Sequence, residues 1–200
     1  MKEKFVNKIM SILFDTETSP EDLKYIQVKF AIDVLINNVL KLAVVFLFAL
    51  VTHSLYETGI TFLSYICIRR YAYGLHSDSE FACLIWTIAY LWGLPLGFKL
   101  LDIQIPFFLM CLILAVCFGL LLRYGSKGTA LNPIEPEKRP PLLKKAIGMF
   151  VLFAVVSLFF SSYDFATYLI LGIVLEICML LPSVNTLMNF RRISHEKSNH

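Results

Sequence analysis

The chain has 200 residues, of which 58% are hydrophobic and 16% charged, with a net charge of +3 and a mean hydropathy of +0.70. Soluble domains run at about 45–50% apolar and about 25% charged, so this balance excludes a disordered chain, a disulfide-rich secreted module and a nucleic-acid-binding domain with a basic face. The apolar residues gather into runs near the roughly 20 residues that a bilayer core demands, and the class is integral membrane protein.

The first 29 residues precede any long apolar run. Phe5, Val6, Ile9, Met10 and Leu13 recur at helical spacing beside Lys2, Lys4 and Lys8, which predicts an amphipathic helix on anionic headgroups. The same stripe equally fits a helix packed on the protein. Asp15–Pro20 breaks it, and Ser19 before Pro20 can cap a second helix. No secretory signal is expected, because the first long run is too long and too polar-studded for one.

Six apolar runs follow: Phe30–Val51, Gly59–Ile68, Phe81–Leu101, Ile103–Leu122, Ala146–Phe160 and Phe165–Pro182. The expected fold is all-α, a polytopic membrane helix bundle of about six spans forming a single domain over 1–200. The second run is short. Its ten residues make about 15 Å of helix against a core of about 30 Å. It spans only by recruiting flanking residues; otherwise it is re-entrant, and four crossings with re-entrant pieces is the rival topology.

The basic residues favour six. Five lysines precede the first run, Arg69 and Arg70 follow the second, and six fill the loop 123–145. Arg191, Arg192 and Lys197 lie in the tail 183–200, whereas Lys99 alone belongs to the opposite set of connections. The positive-inside rule then places both termini and the basic loop in the cytoplasm. That loop can attract an acidic peptide tail or anionic lipid, or simply set topology.

Five cysteines are present with no CxxC pair, and two of the four histidines lie in the tail, so no metal site is expected. Cys67, Cys111, Cys117 and Cys178 have apolar neighbours and read as small buried hydrophobes. Cys83 differs because of Arg69–Cys83, the most polar segment flanked closely by membrane. A thiol attacks as thiolate, and His76 can take its proton and return it to a leaving group. On one straight helix seven residues separate His76 and Cys83 by about 10.5 Å, whereas proton transfer needs about 3 Å or one bridging water. A break is therefore required. Gly74 permits a tight turn, and Ser77-Asp-Ser-Glu80 has the form of a capping box that starts a new helix carrying Cys83.

Arg69-Arg70, Gly74-Leu75-His76 and Cys83 in this order resemble the signature of the accessory gene regulator B (AgrB) family, membrane cysteine endopeptidases of Gram-positive quorum sensing. The likeness extends to the Ile26–Lys29 approach, the basic central loop and the Leu171–Ile177 run before Pro182. It implies a cell-membrane enzyme that needs no cofactor and processes an AgrD-type propeptide. His76 would be the base and Cys83 the nucleophile, with Arg69, Arg70 and Gly74 in support. The enzyme would cut on the C-terminal side of the future signal and hold an acyl-enzyme thioester. A Cys or Ser of the peptide would then close a thiolactone or lactone ring. Two departures stand out. Tyr73, not a second glycine, precedes Gly74, and the basic residues of the loop are dispersed among prolines rather than consecutive.

Two further readings remain at this level. Asp33, Asn37 and Lys41 form an i, i+4, i+8 row inside the first run, and Glu176 lies deep in the last. Intramembrane ionisable groups of this kind also suit a small peptide or ion transporter. A homodimer is carried as an expectation, without a small-xxx-small stripe in the runs to support it.

Overall fold

The computed structural model describes residues 10, 23–72, 80–126, 136–182 and 184, and every regular element among them is helical. The helices are α1 (Leu23–Val51), α2 (Leu55–Ala72), α3 (Glu80–Ile88), a π-helical turn (Ala89–Gly93), α4 (Leu94–Leu100), α5 (Phe107–Tyr124), a 3₁₀ turn (Pro136–Lys138), α6 (Arg139–Phe159) and α7 (Asp164–Met179). The chain divides into two compact units, 1–44 and 45–200. Within the first, the helical row Asp33, Asn37 and Lys41 lies on α1, with Asn37 and Lys41 half-buried. Of the expected amphipathic helix only Met10 is described, and it is helical and buried.

The short second run resolves by extension. Helix α2 has 18 residues, about 27 Å at 1.5 Å per residue, because it recruits Leu55–Thr58 at one end and Arg69–Ala72 at the other. Its burial is inverted relative to a soluble helix. Glu57, Thr58, Thr61 and Ser64 face the protein, while Leu63 and Ile66 are exposed. That is the arrangement expected where the surroundings are as apolar as the core and polar groups supply the interhelical contacts.

Three helical stretches are long and apolar enough to cross a membrane: Cys83–Leu100, Phe107–Tyr124 and Pro136–Phe159, with Leu35–Val51 a shorter apolar one. The first is continuous through the π turn, where Leu94 N–H bonds back five residues to Ala89 O. Pro95 follows at once. It lacks an N–H and its ring would strike the carbonyl four residues before it, so a regular ladder cannot pass this point.

Helix α7 is the centre of the 45–200 unit, with twelve of its 16 residues buried, as expected for a helix apolar on all sides. It packs on α2, α5 and α6. Ala166, Ile170, Ile173 and Ile177 on one face of α7 meet Met110, Leu114, Cys117 and Leu121 of α5 in a core shared with Ile68, Ala146 and Phe150. Both rows follow the spacing of a single helical face. The α2–α7 contact is closest at Gly172, where a β-carbon would overlap Ser64 Oγ and the Thr61 carbonyl oxygen. There Ser64 Oγ donates to Leu169 O at 2.9 Å and Thr61 Oγ1 to Tyr168 O at 3.3 Å.

The unit has two chemically distinct ends. At one, the beginnings of α2 and α7 meet the connection after α4. Lys99 Nζ lies 2.9 Å from Glu57 Oε1 and donates to the His53 carbonyl, and Gln104 Nε2 donates to Asp164 Oδ1 at 2.6 Å. His53 and Asp102 take positive φ, 53° and 49°, where they close α1 and α4. The closing bonds run from Ser54 N–H to Ala49 O and from Ile103 N–H to Phe98 O, the 6→1 bonds of a helix stop that glycine usually supplies. At the other end, Ser126 fastens α5 to α2. Its N–H donates to Ala72 O and its Oγ to Tyr71 O, both at 2.9 Å.

Candidate functional site

The second end carries the residues that the sequence singles out. Arg69 and Arg70 occupy the last turn of α2, where cations meet the negative pole of the helix. Cys83 is the fourth described residue of α3 and is half-buried. Gly74 and His76 lie outside the described residues, together with the expected turn at Gly74 and the Ser77–Ser79 part of the cap. The described helix opens at Glu80.

Among the described residues, Glu176 and Tyr65 both hold Arg69. Its Nη1 is 3.3 Å from Glu176 Oε2 on α7, and its guanidinium carbon sits 5.4 Å from the Tyr65 ring centroid, within cation–π range. Tyr65 in turn faces Tyr90 of the π turn, with ring centroids 6.0 Å apart. The Tyr90 hydroxyl is 3.4 Å from Thr87 Oγ1, which donates to the Cys83 carbonyl at 2.7 Å. A continuous series of contacts therefore joins Glu176 on α7 through α2 to the turn that bears the thiol. Arg70 and Lys145 both lie near the Tyr71 ring, at 5.9 and 5.8 Å, so α6 adds its cation to the same end.

An apolar groove of about 320 Å³ runs along α3 and the π turn, with Trp86, Tyr90 and Leu94 on one wall and Leu175 and Met179 on the other. Cys178 also lines it and is exposed, not buried, because it lies on the face of α7 turned away from the core that its neighbour Ile177 enters. Of the other cysteines, Cys117 is buried, whereas Cys67 and Cys111 are half-buried. The groove, the π turn and the Tyr65–Tyr90 contact have no counterpart in the sequence reading. The one available signal was Pro95 inside an apolar run, which marks a disturbed helix.

The chemistry available here is that of a half-buried thiol near the start of a membrane helix, at the end of the unit where arginines and lysines converge. The protein is thus an all-α integral membrane protein with a candidate thiol site at its basic end. A family model described as Accessory gene regulator B matches residues 2–180, and the chain belongs to this family. The chain is 35% identical to the Accessory gene regulator protein B of Staphylococcus carnosus (strain TM300) over 162 residues, which is 80% of this chain and 82% of that protein. It is 27% identical to the protein of the same name from Staphylococcus lugdunensis, covering 81% and 85% of the two chains. With the protein of that name from Staphylococcus aureus (strain Newman) it shares 28% identity over 89% of this chain and 94% of the relative. No solved structure matches the chain.

Proposed function

We propose that this protein is a membrane cysteine endopeptidase that matures an AgrD-type propeptide into a cyclic signal for quorum sensing. The observation that carries the reading is the half-buried Cys83 near the start of a membrane helix, joined by contacts to Arg69 in a chain of this family. In this reading Cys83 Sγ adds to the scissile carbonyl carbon while His76 takes the thiol proton. His76 then returns that proton to the leaving amine as the C–N bond breaks, leaving a thioester on Cys83. A thiol or hydroxyl of the peptide gives its proton to His76 and attacks the thioester, which closes the ring and releases the Cys83 thiolate. Exchange of one thioester for another needs no external energy source, and a membrane-embedded site keeps water from the acyl-enzyme.

The deciding experiment coexpresses a tagged propeptide with each variant and resolves the products on a gel. Cys83→Ala and His76→Ala are each expected to abolish cleavage while membrane insertion stays normal, and the double variant should be no worse than either one. A dyad acts as a unit, so the second deletion removes little more. Full processing by Cys83→Ala would remove the protease assignment.

The orientation we propose has both termini and the loop 123–145 in the cytoplasm of a Gram-positive cell. The basic residues are segregated accordingly. Arg69, Arg70, Arg123, Lys144 and Lys145 lie towards the end closed by Ser126, and Lys99 lies at the other. In a chain stripped of its own cysteines, Glu137→Cys, at an exposed position of the basic loop, should resist an impermeant thiol reagent on intact cells. Asp102→Cys should react. The reverse pattern would invert the topology.

A further inference from the structure

Glu176 takes no part in the chemistry assigned to Cys83 and His76, yet it is fully buried in the last turn of α7. Its Oε2 meets Arg69 Nη1 at 3.3 Å, and its Oε1 is buried without a hydrogen-bond partner among the described residues. Such a group is a poor device for stability, because well-packed apolar side chains of similar volume hold two helices together as well or better. The α2–α7 contact is already secured by the close approach at Gly172 and by the Ser64 and Thr61 hydrogen bonds. What the carboxylate does uniquely is fix a guanidinium. With Glu176 on one side and the Tyr65 ring on another, Arg69 loses the rotamer freedom of a long side chain and becomes a rigid planar set of donors. The contacts through Tyr90 and Thr87 tie this set to the turn of Cys83.

We propose that Glu176 is a positioning residue for the reaction at Cys83, holding the Arg69 guanidinium where it meets an oxygen acceptor of the propeptide. The inference rests on the assignment of Cys83 as nucleophile. It makes Glu176 a part of the site from a helix distant in sequence, acting on the substrate only through Arg69.

The test uses the full-length protein in membranes and reads propeptide cleavage as kcat and KM. It also reads the alkylation rate of Cys83 by iodoacetamide, without substrate, in a chain whose other four cysteines are alanine. Glu176→Gln should lower kcat at least tenfold while Cys83 alkylation stays within about twofold, since the thiol itself is untouched. Because Glu176→Gln strands a buried guanidinium, the neutral pair Arg69→Gln with Glu176→Gln is the second variant. It should restore protein level and leave kcat as low as Arg69→Gln alone, with the two losses not additive. Recovery of kcat in the neutral pair would show a purely structural pair and overturn the inference. Full activity of Glu176→Gln, or collapse of Cys83 alkylation in it, would overturn it equally. If Cys83→Ala still processes propeptide, the protease reading falls and the inference with it. If Cys83→Ala is dead and Glu176→Gln fully active, only the role of Glu176 falls.

Discussion

The two ends of helix α2 each carry a glutamate–cation pair, and they are built on different physical terms. At the first end Glu57 meets Lys99 at 2.9 Å, with the lysine side chain 36% exposed and the carboxylate 11%, beside a polar cavity of about 300 Å³ that both residues line. At the second Glu176 meets Arg69 at 3.3 Å, with the carboxylate at 0% and the arginine at 17%. The shorter contact is the weaker one. A pair whose cation reaches solvent and whose carboxylate borders a polar cavity is screened and loses side-chain entropy, so its net worth is small. A buried pair gains little over an apolar one when intact, but removing one partner leaves an uncompensated charge in a low-dielectric interior. Distance alone would rank these pairs wrongly; exposure ranks them by what happens when each is broken.

The comparison can be broken most severely at Arg69. Arg69→Ala strands the Glu176 carboxylate, and it should lower stability by about 3–5 kcal/mol, read as a fall in thermal unfolding midpoint in detergent. A midpoint unchanged from wild type would mean that the carboxylate is not carried as a charge. The next effect concerns the stretch of α2 between the two pairs. Gly172→Ala forces α2 and α7 apart against Ser64 and Thr61 and should cost about 1–3 kcal/mol, the range of overpacking in a close-packed interior. Because this variant leaves both ion pairs chemically intact, it separates helix approach from charge. An unperturbed midpoint would contradict the close contact. The smallest effect belongs to Lys99→Ala, expected at about 0.2–1 kcal/mol. That difference should shrink further in high salt, since screening acts on exposed charges. A loss from Lys99→Ala as large as that from Arg69→Ala would erase the distinction between the two ends.

These particulars also show where the sequence was legible. The six apolar runs, the lopsided arginines and lysines and the Arg69–Cys83 segment are local signals, and they carried the fold class and the family. Arg69, Arg70 and Cys83 fall on the basic end of the unit. The short second run could not be settled from its hydropathy, because the residues that lengthen α2 include Glu57, Arg69 and Arg70. A hydropathy window counts them as breaks. In the fold they are tolerated because Glu57 meets Lys99 and Arg69 meets Glu176, partners 42 and 107 residues away along the chain.

The same holds for Glu176. From its position in an apolar run it could serve as an ion-pathway residue or as a structural pair, and nothing local distinguishes them. Its environment is decided by α2 lying directly against α7, which in turn depends on Gly172 having no side chain and on Thr61 and Ser64 being small. Local patterning determined which segments are helical, which are apolar enough to seek a bilayer and which polar segment could hold the chemistry. Pairing decided the rest. Which helix faces meet depends on steric fit and on the cancellation of buried charge between distant residues, and neither quantity exists until the helices are packed.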